Sequence, residues 1–136
     1  MIYTILKVTI GDDKVNDKYN CPVQATLDLI GGKYKVLILW HLVDNVLRFS
    51  ELQKLIPDAT PKMLTQQLRE LEKDNLISRT VYPVVPPKVE YQLTDFGNSM
   101  IPVLEIMYNW GETYLKQQGK CPSCNMKKLH KRADID

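Results

Sequence analysis

The sequence predicts a mainly α-helical protein with a small antiparallel sheet, an α+β fold. Between residues 21 and 75, apolar side chains recur at helical spacing in consecutive segments, whereas residues 77–94 form two short β-type runs around a proline-rich connection. A further apolar helix follows over residues 95–118. With 136 residues and ordinary apolar and charged fractions, the chain is long enough for one compact domain with a real core.

The composition and the first residues bound the class of protein. No apolar run approaches the roughly 20 residues that cross a bilayer, and the start, MIYTILKVTIGDDK, lacks a basic region and a small-residue cleavage site. We therefore expect a cytoplasmic protein without a membrane partner. The net charge of +2 is too small to indicate nucleic-acid binding by itself, so such a function must rest on where the cations cluster.

The chain begins with a segment that we treat as an N-terminal arm, residues 1–20, whose β-branched run at 2–10 predicts a strand or an ordered arm. A short helix follows Cys21, with Pro22 near its start and a glycine pair at 31–32 as its end. The next segment, KYKVLILWHLVDN, is almost continuously apolar and predicts a central core helix, with Lys33 and Lys35 at its exposed start.

The segment LRFSELQKLIPDA predicts a short extended piece followed by a helix. Residues 47–49 would add a third strand to a small sheet, and Ser50 would cap the helix. Leu52 and Leu55 would face inward, and Pro57 would end the helix. Only the residues DAT separate this helix from the next one, so the two predict a helix-turn-helix.

Residues 60–75 predict the helix around which the chain is organised. Thr60 is a good N-cap, Pro61 suits the first helical position, and Asn75 suits a left-handed end. One side of this helix carries Leu64, Leu68 and Leu71. The other side carries amide, hydroxyl and cationic groups, which are the groups that read base edges and hold phosphates in the major groove: Lys62, Thr65, Gln66, Arg69 and Lys73. An ordinary solvated helix face is the alternative interpretation.

Two strands, Ile77 to Tyr82 and Val89 to Thr94, predict a hairpin directly after this helix. A helix-turn-helix followed by a hairpin is a winged helix, in which Arg79 and Lys88 would meet the DNA backbone or minor groove. This order of elements favours double-stranded DNA as the partner, although a fold alone does not determine function.

Residues 95–118 predict one long helix, with Asp95 at its capping position. Its large apolar side chains are too numerous for a solvent-exposed helix, so we expect a dimer interface that makes the protein a homodimer. Packing on the chain's own domain is the alternative. The predicted interface residues are Val103, Leu104, Met107, Tyr108, Trp110 and Tyr114.

Taken in order, these segments resemble the HxlR family of bacterial winged helix-turn-helix transcriptional regulators, relatives of the MarR group. The motifs that carry the resemblance are CPVQATLDLIGGKYKVLILWHL from Cys21, RFSELQKLIP from Arg48, MLTQQLRELEKDNLI from Met63 and VYPVVPPKVEYQLTDFG from Val81. Tyr34 departs from the pattern, since the family usually has tryptophan there, and the arm and the segment after Lys120 lie outside it.

The resemblance implies a homodimeric transcription factor with a DNA-binding domain at 21–118 that ends in its dimerisation helix, followed by a basic, cysteine-containing tail at 119–136. It also implies that some members sense electrophiles or oxidants, so an electrophile or another small molecule is a possible effector. Carried over position by position, Lys62, Thr65, Gln66 and Arg69 match the residues that face the groove. We expect Lys33 and Lys35, at a helix start, to add sequence-independent contacts to phosphate.

Cys21 is the candidate redox sensor. It precedes a helix whose first N–H groups and dipole favour a thiolate, and the resemblance implies a reactive cysteine at the matching CPV position. The alternative is a small buried apolar side chain.

Cys121 and Cys124 form a CPSC pair in the tail, and His130 could supply a third ligand, but structural zinc normally has four ligands. Zinc, a redox-active dithiol and an inert pair therefore remain open, and we predict no metal or other cofactor. We interpret the KKLHKR run as solvated and His41 as a hydrogen-bonded core residue.

The sequence thus predicts a dimeric, sequence-specific regulator, in the form of a repressor that responds to an oxidant or small molecule. An enzyme is not expected, because no catalytic triad, carboxylate pair or phosphate loop occurs in a suitable context. The alternative is a winged-helix module that binds proteins instead of DNA.

Overall fold

The computed structural model describes residues 21–120. In chain order the elements are α1 (Pro22–Ile30), α2 (Lys35–Leu42), α3 (Phe49–Leu55), α4 (Pro61–Lys73), β1 (Ile77–Tyr82), β2 (Lys88–Leu93), α5 (Asp95–Asn98) and α6 (Ile101–Gln117). This order is that of a winged helix-turn-helix, so the predicted α+β fold is confirmed. The predicted arm at 1–20 and the tail from 121 onwards lie outside the described residues.

The core is built from α2, the inner faces of α3 and α4, and the first residues of the sheet. Ile38 and Leu39 of α2 are fully buried, and Leu52, Leu64 and Leu71 pack in the same cluster. The predicted central position of α2 and the predicted inward leucines of α4 are therefore confirmed. Leu55 was predicted to face inward, but this is wrong, because it is 37 % exposed at the end of α3.

The ends of α4 follow from its sequence. The Thr60 hydroxyl accepts a hydrogen bond from the backbone N–H of Met63 at 3.1 Å, and Pro61 occupies the first turn, where an N–H is not needed. Asn75 has a φ of 62°, in the left-handed region that asparagine tolerates better than most residues. All three predicted boundary roles are confirmed.

The start of α3 differs from the prediction. The helix begins at Phe49, and the N-cap is Arg48, whose backbone N–H donates to Oε1 of Glu51 at 2.8 Å. Ser50 is therefore inside the helix and not its cap, because the glutamate already satisfies the backbone at its start. The predicted extended piece is reduced to Leu47, which exchanges backbone hydrogen bonds of 3.0 and 2.8 Å with Tyr91.

The wing is an antiparallel hairpin of β1 and β2 in which Ile77 lies opposite Leu93 and Tyr82 opposite Lys88. Thr94 connects this hairpin to the end of α4, because its hydroxyl donates to the carbonyl of Asn75 at 2.6 Å. The position of the wing beside α4 is thus fixed by a hydrogen bond as well as by packing.

The helix predicted over 95–118 is divided into α5 and α6, with a break at Ser99 and Met100. Pro102 explains the break, since it has no N–H to donate to the carbonyl four residues earlier and its ring would collide with that carbonyl. The cap of α5 is Thr94, not Asp95, because the Thr94 hydroxyl accepts from the N–H of Gly97 at 2.9 Å. Within residues 21–120, no helix is both long and apolar enough to span a bilayer.

Candidate nucleic-acid interface

The outer face of α4 carries the predicted DNA-reading side chains on the side opposite its buried leucines. Lys62, Gln66, Arg69 and Lys73 are exposed, whereas Thr65 is half-buried and its hydroxyl donates to the carbonyl of Pro61 at 2.7 Å. That hydroxyl can still accept a hydrogen bond, so Thr65 retains some capacity for a contact. The face thus presents three cations and an amide from one rigid helix, an arrangement suited to the major groove.

Arg69 and Arg79 line a shallow pocket of about 280 Å³ between α4 and the wing. Its other lining residues are Thr65, Leu68, Glu72 and Tyr91. Both arginines are exposed, so the structure brings a predicted base-reading residue of α4 and a predicted backbone contact of β1 to one continuous surface. Guanidinium groups bind phosphate in a bidentate manner, and a DNA backbone following this surface could contact both.

Lys88 at the start of β2 is held by its neighbours. Its Nζ lies 3.2 Å from Oε2 of Glu90 and 5.0 Å from the centre of the Tyr82 ring. The hydrogen bond from Lys88 lowers the pKa of the Glu90 carboxyl below its ordinary value, with smaller contributions from Tyr82 and Arg48, against a raising effect of burial. A DNA contact by Lys88 would therefore compete with this pair.

The prediction that Lys35 is exposed is wrong. It was expected at an exposed helix start, but it is only 6 % exposed, and its Nζ lies 2.7 Å from Oε1 of Glu70 on α4. The ammonium is thus directed toward α4 from the first residue of α2. Lys33 is exposed as predicted, with its Nζ 5.3 Å from the centre of the Tyr34 ring.

The turn between α1 and α2 supports α4 through Gln67, which sequence reasoning missed. The Gln67 Oε1 accepts from the backbone N–H of Tyr34 at 3.3 Å, and a Cβ at Gly32 would collide with the same oxygen. The Tyr34 hydroxyl donates to the carbonyl of Asp58 at 3.1 Å, in the turn before α4. The glycine pair therefore ends α1 as predicted and also allows the backbone to approach the Gln67 side chain of α4 closely.

Glu70 is the second residue that the sequence analysis did not select. Its Oε2 accepts from Nε2 of Gln66 at 3.3 Å, while Oε1 faces Lys35. The pKa of the Glu70 carboxyl is held below its ordinary value, first by the hydrogen bond and then by the charge of Lys35. The spacing of four residues between Gln66 and Glu70 was a signal that could have indicated their contact.

Comparison with known proteins identifies the family. The model of the HxlR-like helix-turn-helix family matches residues 29–119. This chain belongs to the HxlR family of helix-turn-helix transcriptional regulators. The resemblance inferred from the sequence motifs is thus confirmed.

Individual HxlR-family relatives agree with this assignment. The chain is 54 % identical over 106 residues, 77 % of this chain and 83 % of the relative, to the HTH-type transcriptional regulator YdeP of Bacillus subtilis. The solved structure of the redox regulator HypR in its oxidized form has a TM-score of 0.66 and 50 % identity, over 68 % of this chain and 96 % of that one. The structure of the HTH-type regulator YtcD has a TM-score of 0.68 and 51 % identity, covering 71 % and 98 %.

Cys21 lies just before the stretch matched by the HxlR-family model. It is the N-cap of α1, in an extended conformation, and its side chain is exposed, so the interpretation of a buried apolar residue is wrong. No cluster of three or more His, Cys, Asp or Glu side chains that could hold a metal ion occurs among residues 21–120. Cys121, Cys124 and His130 lie outside the described residues.

In this HxlR-family chain, one side of α6 packs on the domain and the other side is exposed. Leu104 is 1 % exposed in the chain's own core, and the Tyr108 ring stacks on Trp40 of α2 at a centroid distance of 5.0 Å. The prediction that these two residues lie in a dimer interface is therefore corrected, because they attach α6 to the domain. The other side of the helix stays exposed and includes Ile106, which the prediction omitted; it comprises Val103, Ile106, Met107, Trp110 and Tyr114.

His41 is buried near the end of α2, as predicted, but the expected hydrogen bonding is wrong for its Nε2 atom. That atom is buried and has no hydrogen-bond partner in the described part of the chain. Burial lowers the pKa of the His41 imidazole below its ordinary value, because the charged form loses solvation.

Proposed function

We propose that this HxlR-family chain is a cytoplasmic, homodimeric repressor that binds a specific double-stranded DNA operator through α4 and its wing. The observation that carries the proposal is the division of α4, in which the leucines are buried while Lys62, Gln66, Arg69 and Lys73 are exposed on the opposite face. Cations and an amide on one rigid helix supply both phosphate contacts and base contacts.

The DNA-binding proposal is tested by selection from a pool of random duplexes, using the purified full chain under reducing conditions with excess competitor DNA. We expect enrichment of a repeated half-site with a centre-to-centre spacing of about 10 base pairs or a multiple, which matches a dimer. The affinity for the enriched duplex should fall steeply with salt concentration. A pool that remains random would contradict specific DNA binding and favour the protein-interaction module.

Homodimer formation is supported by the exposed apolar side of α6. Trp110 and Tyr114 stack on each other at a centroid distance of 5.7 Å, yet they are 70 % and 48 % exposed. Exposed groups of large aromatic and methionine side chains are typical of protein interfaces. Val23 and Leu27 leave α1 with an exposed apolar side as well.

A response to oxidants or electrophiles is supported by the exposed thiol of Cys21 at the start of α1. Two structural neighbours are described as the redox regulator HypR in its oxidized and reduced forms, at 50 % and 49 % identity. We propose that modification of Cys21 displaces α1 and alters the spacing of the two recognition helices, which releases the operator.

A further inference from the structure

Three side chains connect the interior of the domain to the outer face of α4. The Lys35 ammonium, at the buried start of α2, lies 2.7 Å from Oε1 of Glu70. The other oxygen of that carboxylate accepts from Nε2 of the exposed Gln66 at 3.3 Å. Because the two contacts use separate oxygens, they do not compete, and both can persist together.

We propose that Lys35 and Glu70 are positioning residues that hold the Gln66 amide in one orientation and thereby set the base preference of the recognition helix. This inference rests on the proposed DNA-binding function. It assigns Lys35 to base selection through another residue, not to contact with DNA.

The chemistry of the three groups determines which end of the Gln66 amide faces Glu70. An ionised carboxylate only accepts hydrogen bonds, so the NH₂ end of the Gln66 amide must face Glu70 and its carbonyl oxygen must point elsewhere. The second N–H and the carbonyl oxygen then form a donor and acceptor pair with a fixed order. Such a pair is what recognises adenine through N6 and N7 in the major groove, and reversing the amide would reverse the pattern.

Lys35 is needed because Glu70 is not fixed by burial. The Glu70 side chain is 42 % exposed and would otherwise sample several rotamers, whereas the Lys35 side chain is 7 % exposed and confined by the core. The ammonium therefore ties a mobile carboxylate to a rigid point. A glutamate is ionised at neutral pH without help, and the Lys35 hydrogen bond and charge lower the pKa of Glu70 further.

The burial of Lys35 distinguishes this role from a phosphate contact. A lysine that binds phosphate must extend its ammonium into solvent. The Lys35 ammonium is instead buried and directed at Glu70 on α4. Lys33, two residues earlier, is exposed and provides a matched control with the same charge.

The test measures base discrimination for the full-length wild-type protein and its variants. An operator obtained from random duplexes is altered one base pair at a time, and relative affinities are measured by competition fluorescence anisotropy at fixed salt. Gln66→Ala identifies the base pair that Gln66 reads. Glu70→Gln then supplies an amide that can either accept or donate, so Gln66 loses its preferred orientation.

We expect Glu70→Gln to lower discrimination at that base pair by about fivefold or more. In the Gln66→Ala background, the same Glu70→Gln substitution should cause no further loss there. A residue that merely stabilises α4 would instead lower affinity for all duplexes and act additively with Gln66→Ala, and that result would overturn the proposal.

Lys35→Met and Lys33→Met remove the same charge from neighbouring positions. Lys35→Met should reduce discrimination at the Gln66 base pair and leave the salt dependence of binding unchanged. Lys33→Met should weaken all duplexes and reduce the slope of log affinity against log salt by about 1. A reduced slope with intact base discrimination in Lys35→Met would show a phosphate contact and overturn the positioning role.

Folding is checked by circular dichroism and thermal unfolding. The double variant Lys35→Met, Glu70→Gln leaves no unpaired buried ammonium, so it remains interpretable where a single variant unfolds; intact discrimination in this folded variant would overturn the proposal. If the wild type enriches no sequence at all, the DNA-binding function itself fails. If the wild type selects an operator but the variants behave additively, only the positioning role fails.

Discussion

Cys21 occupies a position where a single side chain can influence a helix. Its thiol is exposed. Its backbone carbonyl accepts a hydrogen bond from the N–H of Ala25 at 3.2 Å, and this is the first hydrogen bond of α1. A bulky or charged adduct on the thiol would therefore lie directly against the start of this helix. The exposed apolar side chains of α1, Val23 and Leu27, would be displaced with it.

We predict that Cys21→Ser abolishes the release of operator DNA by diamide. Serine preserves the size of the side chain, so the reduced-state affinity should change by less than about twofold. It has no thiol for diamide to oxidise to a disulfide with a second thiol, either that of the other subunit of the proposed dimer or an added small thiol, while diamide is reduced to the hydrazine. Binding is measured by gel shift before and after diamide treatment. The control is Cys121→Ser with Cys124→Ser, which should retain the response. A wild-type response in Cys21→Ser would contradict the sensor role.

His41 leads to a second prediction, which concerns how the free energy of unfolding depends on pH. Its pKa is lowered by burial in the folded state, so below about 6.5, the ordinary value, the unfolded chain binds a proton that the folded chain resists. Stability from this group is therefore complete above that pH and is lost as the pH falls toward the lower folded pKa.

We expect His41→Leu to reduce the loss of unfolding free energy between pH 7.5 and 5.5, measured by urea denaturation. The leucine removes the titrating group and the unpartnered Nε2 atom, so stability at pH 7.5 should be unchanged or higher by about 1 kcal/mol. Other groups titrate equally in both proteins, and the difference between the two pH profiles isolates His41. Parallel profiles would contradict this assignment.

Helix α4 shows what the sequence could predict at the level of an element. Thr60, Pro61 and Asn75 act through local backbone geometry, and Leu64, Leu68 and Leu71 follow from helical spacing, so both kinds of information are contained in the segment itself. Lys35 shows the limit. Whether its ammonium reaches solvent depends on how α2 crosses α4, and that crossing is set by tertiary packing that no local pattern encodes.

The break between α5 and α6 was a missed local signal. Pro102 interrupts an otherwise continuous helical pattern, and because proline has no backbone N–H it favours a new helix start at that point. The two sides of α6 were harder to separate, because apolar residues occupy most of its circumference. The burial of Leu104 and the contact of Tyr108 with Trp40 show which side faces the domain.

Arg69 is the strongest single test of the α4 surface. Arg69→Ala should weaken specific operator binding by at least about 1 kcal/mol, because one good guanidinium contact to a base or phosphate is lost. Affinities are measured at matched salt. Lys116→Ala is the control, since it removes the same charge from an exposed position on α6, and it should have little effect. Equal losses in the two variants would indicate that only net charge matters and remove Arg69 from the interface.

At the scale of the whole molecule, we propose that a second copy of the chain covers the exposed apolar sides of α6 and α1. The wing domain is complete without the outer side of α6, because Leu104 and Tyr108 already attach that helix to α2. The remaining apolar side chains of α6 are exposed in the single chain. In a dimer they would bring two recognition helices into a fixed relationship, which gives the operator its half-site spacing.

We predict that Trp110→Glu dissociates the dimer. Trp110 is 70 % exposed in the single chain and would be desolvated in the interface, where a tryptophan hot spot contributes about 2 kcal/mol, a roughly 30-fold change in the dissociation constant. Sedimentation velocity across a micromolar dilution series measures the shift. The control Asn109→Glu places the same charge on the adjacent exposed residue, outside the apolar side, and should remain dimeric.

The same pair of variants connects assembly to DNA binding. A Trp110→Glu monomer retains α4 and the wing, so it should bind a single half-site weakly but lose the added affinity of two linked half-sites. Footprinting of the complete operator should therefore show protection by Asn109→Glu at concentrations where Trp110→Glu gives none. If Trp110→Glu remains a dimer with wild-type protection, the interface must lie elsewhere on the molecule, and the exposed side of α6 would require a different partner.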